Sequence, residues 1–127
     1  MVKILDFVLT GKDLLNFLFS EYNSLPIILT GDFNAEPTEP VYNTMRKNLS
    51  SAYFDGLNQE PSFTNWTKRE NEIEMKRTLD YIFYSKIDFE LISLLLTESS
   101  ELSSPIPNVQ YPSDHLSLLA RFKIHSF

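Results

Sequence analysis

The sequence predicts an α/β (α+β) protein, and three observations carry that reading. Short stretches rich in β-branched and aromatic residues recur from residue 25 onward. Two segments of helical spacing accompany them, one ahead of the first such stretch and one just after it. A content of 43% hydrophobic and 13% aromatic residues supplies a packed core. At 127 residues the chain holds one domain at most.

The elements follow in order. Between residues 13 and 22, Leu14, Leu15, Phe17, Leu18 and Phe19 mostly recur at helical spacing, which predicts an amphipathic helix. Residues 25–30 are short, continuously apolar and closed by Gly31, which favours a buried strand. Thr38 is placed to cap a second helix with Glu39 and Pro40 in its first turn and Val41, Tyr42 and Met45 as its inner stripe. Residues 63–67 and 78–84 read as strands, 89–97 as a further apolar stretch, and 116–124 as a final strand. A mixed-charge loop (68–76) and a Ser/Pro-rich segment (98–112) lie between them.

Composition narrows the function classes. Eleven Lys+Arg against seventeen Asp+Glu give a net charge of −6, a poor footprint for gripping nucleic acid by phosphate neutralisation alone. An acidic chain still binds phosphate esters when a divalent cation supplies the positive charge. Zero cysteines remove disulfides, thiolate–zinc sites and thiol catalysis, and suit a reducing compartment. No apolar run approaches the ~20 residues that span a bilayer. The N-terminal segment carries Asp6 within its apolar run and no small-residue cleavage site, a weak signal-peptide pattern. We therefore expect a soluble, intracellular protein.

Three strings carry the chemistry. The first is Gly31-Asp32-Phe33-Asn34-Ala35-Glu36-Pro37, directly after the apolar strand. On an extended backbone Asp32 and Asn34 would point the same way, an acceptor for a water proton beside an amide that orients water or a phosphate oxygen. An Asx-type turn closing the strand explains the same residues. In the second, Thr78-Leu79-Asp80-Tyr81-Ile82-Phe83-Tyr84, an acid sits in an apolar run. Asp80 either meets a donor, cation or metal, or simply begins the strand at an exposed end. The third, Tyr111-Pro112-Ser113-Asp114-His115-Leu116-Ser117-Leu118, sets a histidine after an acid and before a strand. A carboxylate on one ring nitrogen would fix its tautomer and raise its basicity. Trp66, Phe63 and Tyr53 read as core, Lys68, Arg69, Lys76 and Arg77 as part of a solvated loop among Glu70, Glu72 and Glu74, and Ser113 as no nucleophile. His125 is left without a role.

In this order, GDFN, TLDYIFYS and SDHLSL resemble the C-terminal half of the endonuclease/exonuclease/phosphatase superfamily, Mg-dependent phosphoesterases related to deoxyribonuclease I. The longer strings GDFNAEPTEPVY, TLDYIFYSK and YPSDHLSLL are most similar to its nocturnin-like branch, which lies beside the cytoplasmic deadenylases. The similarity runs from about residue 14 to residue 122. The resemblance implies the C-terminal half of a deoxyribonuclease-I-like four-layer α/β sandwich with mixed, mostly antiparallel sheet. It implies Asp32 as the acid that activates water, Asn34 as the amide that holds the scissile phosphate, Asp80 as the partner of the catalytic His115, and Asp32 and Asp114 at the metal.

The cofactor so implied is Mg²⁺, and the substrate NADP(H), losing its 2′-phosphate. A 3′ end of poly(A) RNA is the alternative, and an inactive fragment the non-enzyme alternative. A monomer in the cytoplasm or mitochondrion is expected. The family's principal Mg-binding Glu, an early Asn and a His-Leu strand precede the region represented here. Residues 1–127 therefore read as a partial domain of weak or no activity alone, with an inner apolar face open to water.

Overall fold

The computed structural model describes residues 11–21, 25–68, 73–96, 102, 104–109 and 111–125. Expectations for the N-terminal segment and for Arg69, Glu70 and Glu72 fall outside them. The elements are α1 (Gly11–Glu21), β1 (Ile28–Asp32), α2 (Pro40–Arg46), β2 (Ser50–Ser51), α3 (Ala52–Leu57), β3 (Asn65–Thr67), β4 (Met75–Arg77), β5 (Asp80–Tyr84), β6 (Phe89–Leu94) and β7 (Ala120–Ile124). The α/β class holds, and the strand pairings among the described residues are antiparallel. Among those residues no helix is long and apolar enough to cross a membrane.

β5 is the axis of the molecule. It lies between β1 and β2, and the alternation of a strand sends its side chains into two separate cores. Tyr81 and Phe83 join Ile27, Tyr42, Met45 and Leu49 under the two N-terminal helices, with Leu18, Phe19, Leu29 and Phe33 packed alongside. Phe33 meets both rings edge-on at 5.9 and 5.3 Å, the arrangement that aromatic quadrupoles favour. Ile82 and Tyr84 face the other way, against Ala52 and Tyr53 of α3 and the paired strands β6 and β7. The Tyr53 hydroxyl locks the end of that pair, donating to the Leu95 carbonyl and accepting the Leu119 N–H. A third cluster gathers Phe63, Trp66 and Ile106 beside β3.

Several expectations change. Residues 25–30 are not continuously buried. Ile27 is buried, but Leu25, Ile28 and Thr30 are exposed because β1 is an edge strand and only alternate residues face the aromatic core. Thr38 is not the cap of α2: Glu39 holds that position in extended conformation, and its Oε2 accepts the Glu36 N–H at 2.6 Å. The inner stripe stands, with Tyr42 and Met45 buried. The 68–76 loop gives up Met75 and Lys76 to a strand that returns to pair with β3. The final strand starts at Ala120, not at Leu116. Helix α3 was not foreseen at all.

Candidate active site

The strand-and-turn string resolves into both of its readings. Gly31 has φ 154, a conformation that L side chains rarely adopt, so the approach to Asp32 requires glycine. Asn34 then takes left-handed φ 47, and its N–H donates to Asp32 Oδ1 at 2.8 Å. That is the Asx turn. The extended backbone that would align the two side chains ends at Asp32, so Asn34 reaches the acid through its backbone.

The same carboxylate faces the chemistry. Asp32 is paired in register with Asp80 across β1 and β5, an unfavourable placement for like charges that a cation between them relieves. His115 is that group. Its Nδ1 lies 2.8 Å from Asp80 Oδ2 and its Nε2 4.0 Å from Asp32 Oδ2. A carboxylate only accepts, so Nδ1 carries the proton. Asp80 both begins β5 and is partnered, with 17% of its side chain exposed. The structure thus brings Asp32, Asp80 and His115 together, one ligand atom of each within 4.8 Å of the others. Asp114 stands beside them and adds its charge to His115, but is not one of that group.

Burial of the His115 ring by itself lowers its pKa. The hydrogen bond and charge of Asp80, with the charges of Asp32 and Asp114, outweigh that, and the pKa is raised. The linkage sign follows. A raised folded-state pKa stabilises the fold fully below the ordinary imidazole value and loses that stabilisation as pH climbs through the raised value. In an NMR titration His115 is expected to lose its proton above the ordinary histidine range, and Asp80→Asn to shift the midpoint down. A wild-type midpoint at or below that range would mean that burial dominates.

A cleft of about 240 Å³ opens beside the cluster, lined by Thr30, Gly31, Asp80, Ile82, Leu116 and Leu118. A larger groove of about 550 Å³ runs past Glu36, Tyr42, Glu60 and Lys76, but contains none of the three. We place the site at the smaller cleft, because Asp80 of the cluster lines it.

The remaining residues are structural. Trp66, Phe63 and Tyr53 are buried. Lys76 lies over the Trp66 ring at 3.8 Å, a cation–π contact, and Ser113 turns the loop by accepting the His115 N–H. His125 Nδ1 lies 3.0 Å from the Ile87 carbonyl, just past the end of β7. Sequence reasoning missed Thr64 and Asn65, both buried between Phe63 and Trp66. The available signal was a polar pair inside an aromatic strand, where burial demands partners.

The profile described as the Endonuclease/Exonuclease/phosphatase family matches residues 9–115. Nocturnin of Rattus norvegicus is 43% identical over 126 residues, covering 91% of this chain and 29% of that protein. A probable CCR4-Not complex 3′-5′-exoribonuclease subunit Ccr4 of Vairimorpha ceranae is 32% identical over 127 residues, covering 81% of this chain and 25% of that one. The solved human Nocturnin catalytic domain with bound sulfate anion superimposes with TM-score 0.69 at 40% identity, over 91% of this chain and 40% of that one. The chain thus spans less than a third of the length of these curated relatives.

Proposed function

The chain belongs to the endonuclease/exonuclease/phosphatase family, and from that premise we propose that its Asp32–His115–Asp80 cluster serves Mg²⁺-dependent hydrolysis of a phosphate ester, the 2′-phosphate of NADP(H). The observation that carries this reading is the imidazole held by Asp80 with its far nitrogen turned to a second carboxylate. Asp80 raises the proton affinity of His115, which suits the ring to donate to an oxygen of the phosphoryl group. Asp32 takes the proton of the attacking water, and Asn34 orients the scissile phosphate.

The donor set fits a hard cation. Mg²⁺ prefers one or two carboxylates with water and substrate oxygens completing its shell, and Asp32 is exposed enough to serve, with Asp114 as second acid. His115 has only Nε2 to offer, since its Nδ1 is committed to Asp80. The metal would neutralise charge on the phosphoryl oxygens.

Similarity to a Ccr4 subunit supports a second reading, 3′ exonucleolysis of poly(A). The net charge of −6 favours a dinucleotide over a long polyanion. We read the protein as a monomer of the cytoplasm or mitochondrion. The test is phosphate release from NADP(H) beside adenylate release from poly(A), both in excess Mg²⁺. Faster release from NADP(H), lost on chelation, is expected; faster adenylate release would move the assignment to the nuclease, and neither to an inactive protein.

A further inference from the structure

We infer that Thr64 is a positioning residue of this site, its hydroxyl fixing the backbone at Asp80 while its carbonyl fixes the segment that carries His115. The role deepens the phosphoesterase reading and rests on it. The geometry behind it does not.

Thr64 is fully buried. Its Oγ1 accepts two backbone N–H groups, from Leu79 at 2.9 Å and from Asp80 at 3.0 Å. Its own N–H donates to the Arg77 carbonyl at 2.9 Å, and its carbonyl accepts the Leu116 N–H at 2.7 Å. One residue therefore touches the chain at the acid and again at the neighbour of the histidine. The next two positions tighten the second contact. Asn65 forms an isolated bridge with His115, its Nδ2 donates to the Asp114 carbonyl at 3.0 Å, and the Trp66 N–H donates to the same carbonyl at 3.1 Å.

The chemistry requires an acceptor here. Asp80 opens β5, and its far side is held by the register with Asp32. The Leu79 amide turns inward into a buried bond and the Asp80 amide into a part-buried one. Buried N–H groups without a partner are costly, so the strand end would shift to find one. The carboxylate would move with it, and the 2.8 Å contact to His115 would be lost. Threonine suits the task because branching at Cβ restricts χ1 and holds the hydroxyl in one direction. A displacement of about 1 Å in such a site lowers turnover by about 10²-fold.

The experiment compares Thr64→Val, which keeps the shape without the acceptor, with Thr64→Ser, which keeps the hydroxyl. Two NMR readouts on the unliganded chain serve. They are amide exchange at Leu79 and Asp80 relative to Phe83, and the hydrogen-bonded Nδ1 proton of His115. For Thr64→Val we expect exchange at both amides to rise about tenfold against Phe83 and the Nδ1 signal to shift or vanish. Thr64→Ser should restore both, which a merely space-filling role would not require.

A folded Thr64→Val with unchanged amide exchange and Nδ1 signal overturns the inference, and so does failure of serine to restore them. Should valine prevent folding, Thr64→Cys replaces it, because thiol sulfur is a weak acceptor. Intermediate changes are then expected, and wild-type signals would overturn the inference. No substrate or metal enters these measurements, so their failure is separate from failure of the phosphoesterase reading.

Discussion

Replacing His115 by alanine is expected to lower phosphate release from NADP(H) by about 10²–10⁴-fold, the usual worth of a positioned acid–base group. The size follows from what the ring touches. Nδ1 is bound to Asp80 and Nε2 faces Asp32 at 4.0 Å, so alanine removes a proton donor and leaves two register-paired carboxylates facing each other. Their repulsion then raises the proton affinity of one of them and spoils the acceptor that water needs. Asp80→Asn should reduce the rate as well, because a neutral amide no longer stabilises the charge of the imidazolium. Initial rates at saturating Mg²⁺, with circular dichroism as a check on folding, measure both. Retention of the wild-type rate by folded His115→Ala would refute the acid–base assignment.

The two halves of this cluster were unequally legible in the sequence. Asp80 stood out because an acid inside Leu-Asp-Tyr-Ile-Phe must be partnered or terminal, and it is both. His115 stood out by its chemistry. Their meeting was not readable from spacing, since it depends on β5 running antiparallel to β1 and on a bridge from Asn65 to His115. The turn after Gly31 was half legible. The Asx reading and the acid-in-cleft reading were posed as rivals, whereas Asp32 uses one oxygen for each.

Misses elsewhere share a cause. Thr38 has the right chemistry for a cap, but the chain bends back through the Glu39 carboxylate and Glu36 N–H, a local bond that composition does not rank. Helix α3 is six residues long and includes Gly56, too short and too weak in propensity to show a period. Its place is set by Tyr53 and Asp55, which anchor to the Leu95 carbonyl and to Tyr84 and Lys86 from distant parts of the chain. Thr64 was hidden for the same reason. Its partners are backbone groups, which sequence carries identically at nearly every position.

The 127-residue chain by itself is expected to hydrolyse NADP(H) on the order of 10³-fold more slowly than full-length rat Nocturnin, even though it holds the Asp32–Asp80–His115 cluster. A water-activating carboxylate and a charged imidazole act only on a phosphate already positioned and neutralised. On the proposed reading Asp80 and His115 are committed to each other, and Asp32 and Asp114 would hold Mg²⁺. An ion held by two carboxylates keeps most of its shell as mobile water, so the phosphate it orients is loosely placed. The chain covers 29% of the rat relative's length. Groups that work as one unit lose far more than the sum of their parts when one is removed, so the retained residues do not preserve a proportionate share of the rate. The measurement sets this chain beside full-length rat Nocturnin, with phosphate release from NADP(H) followed across a Mg²⁺ titration. A steep demand for Mg²⁺ and a low plateau are expected from the chain. Equal plateaus, abolished by His115→Ala, would show that Asp32 and Asp114 suffice to anchor the ion.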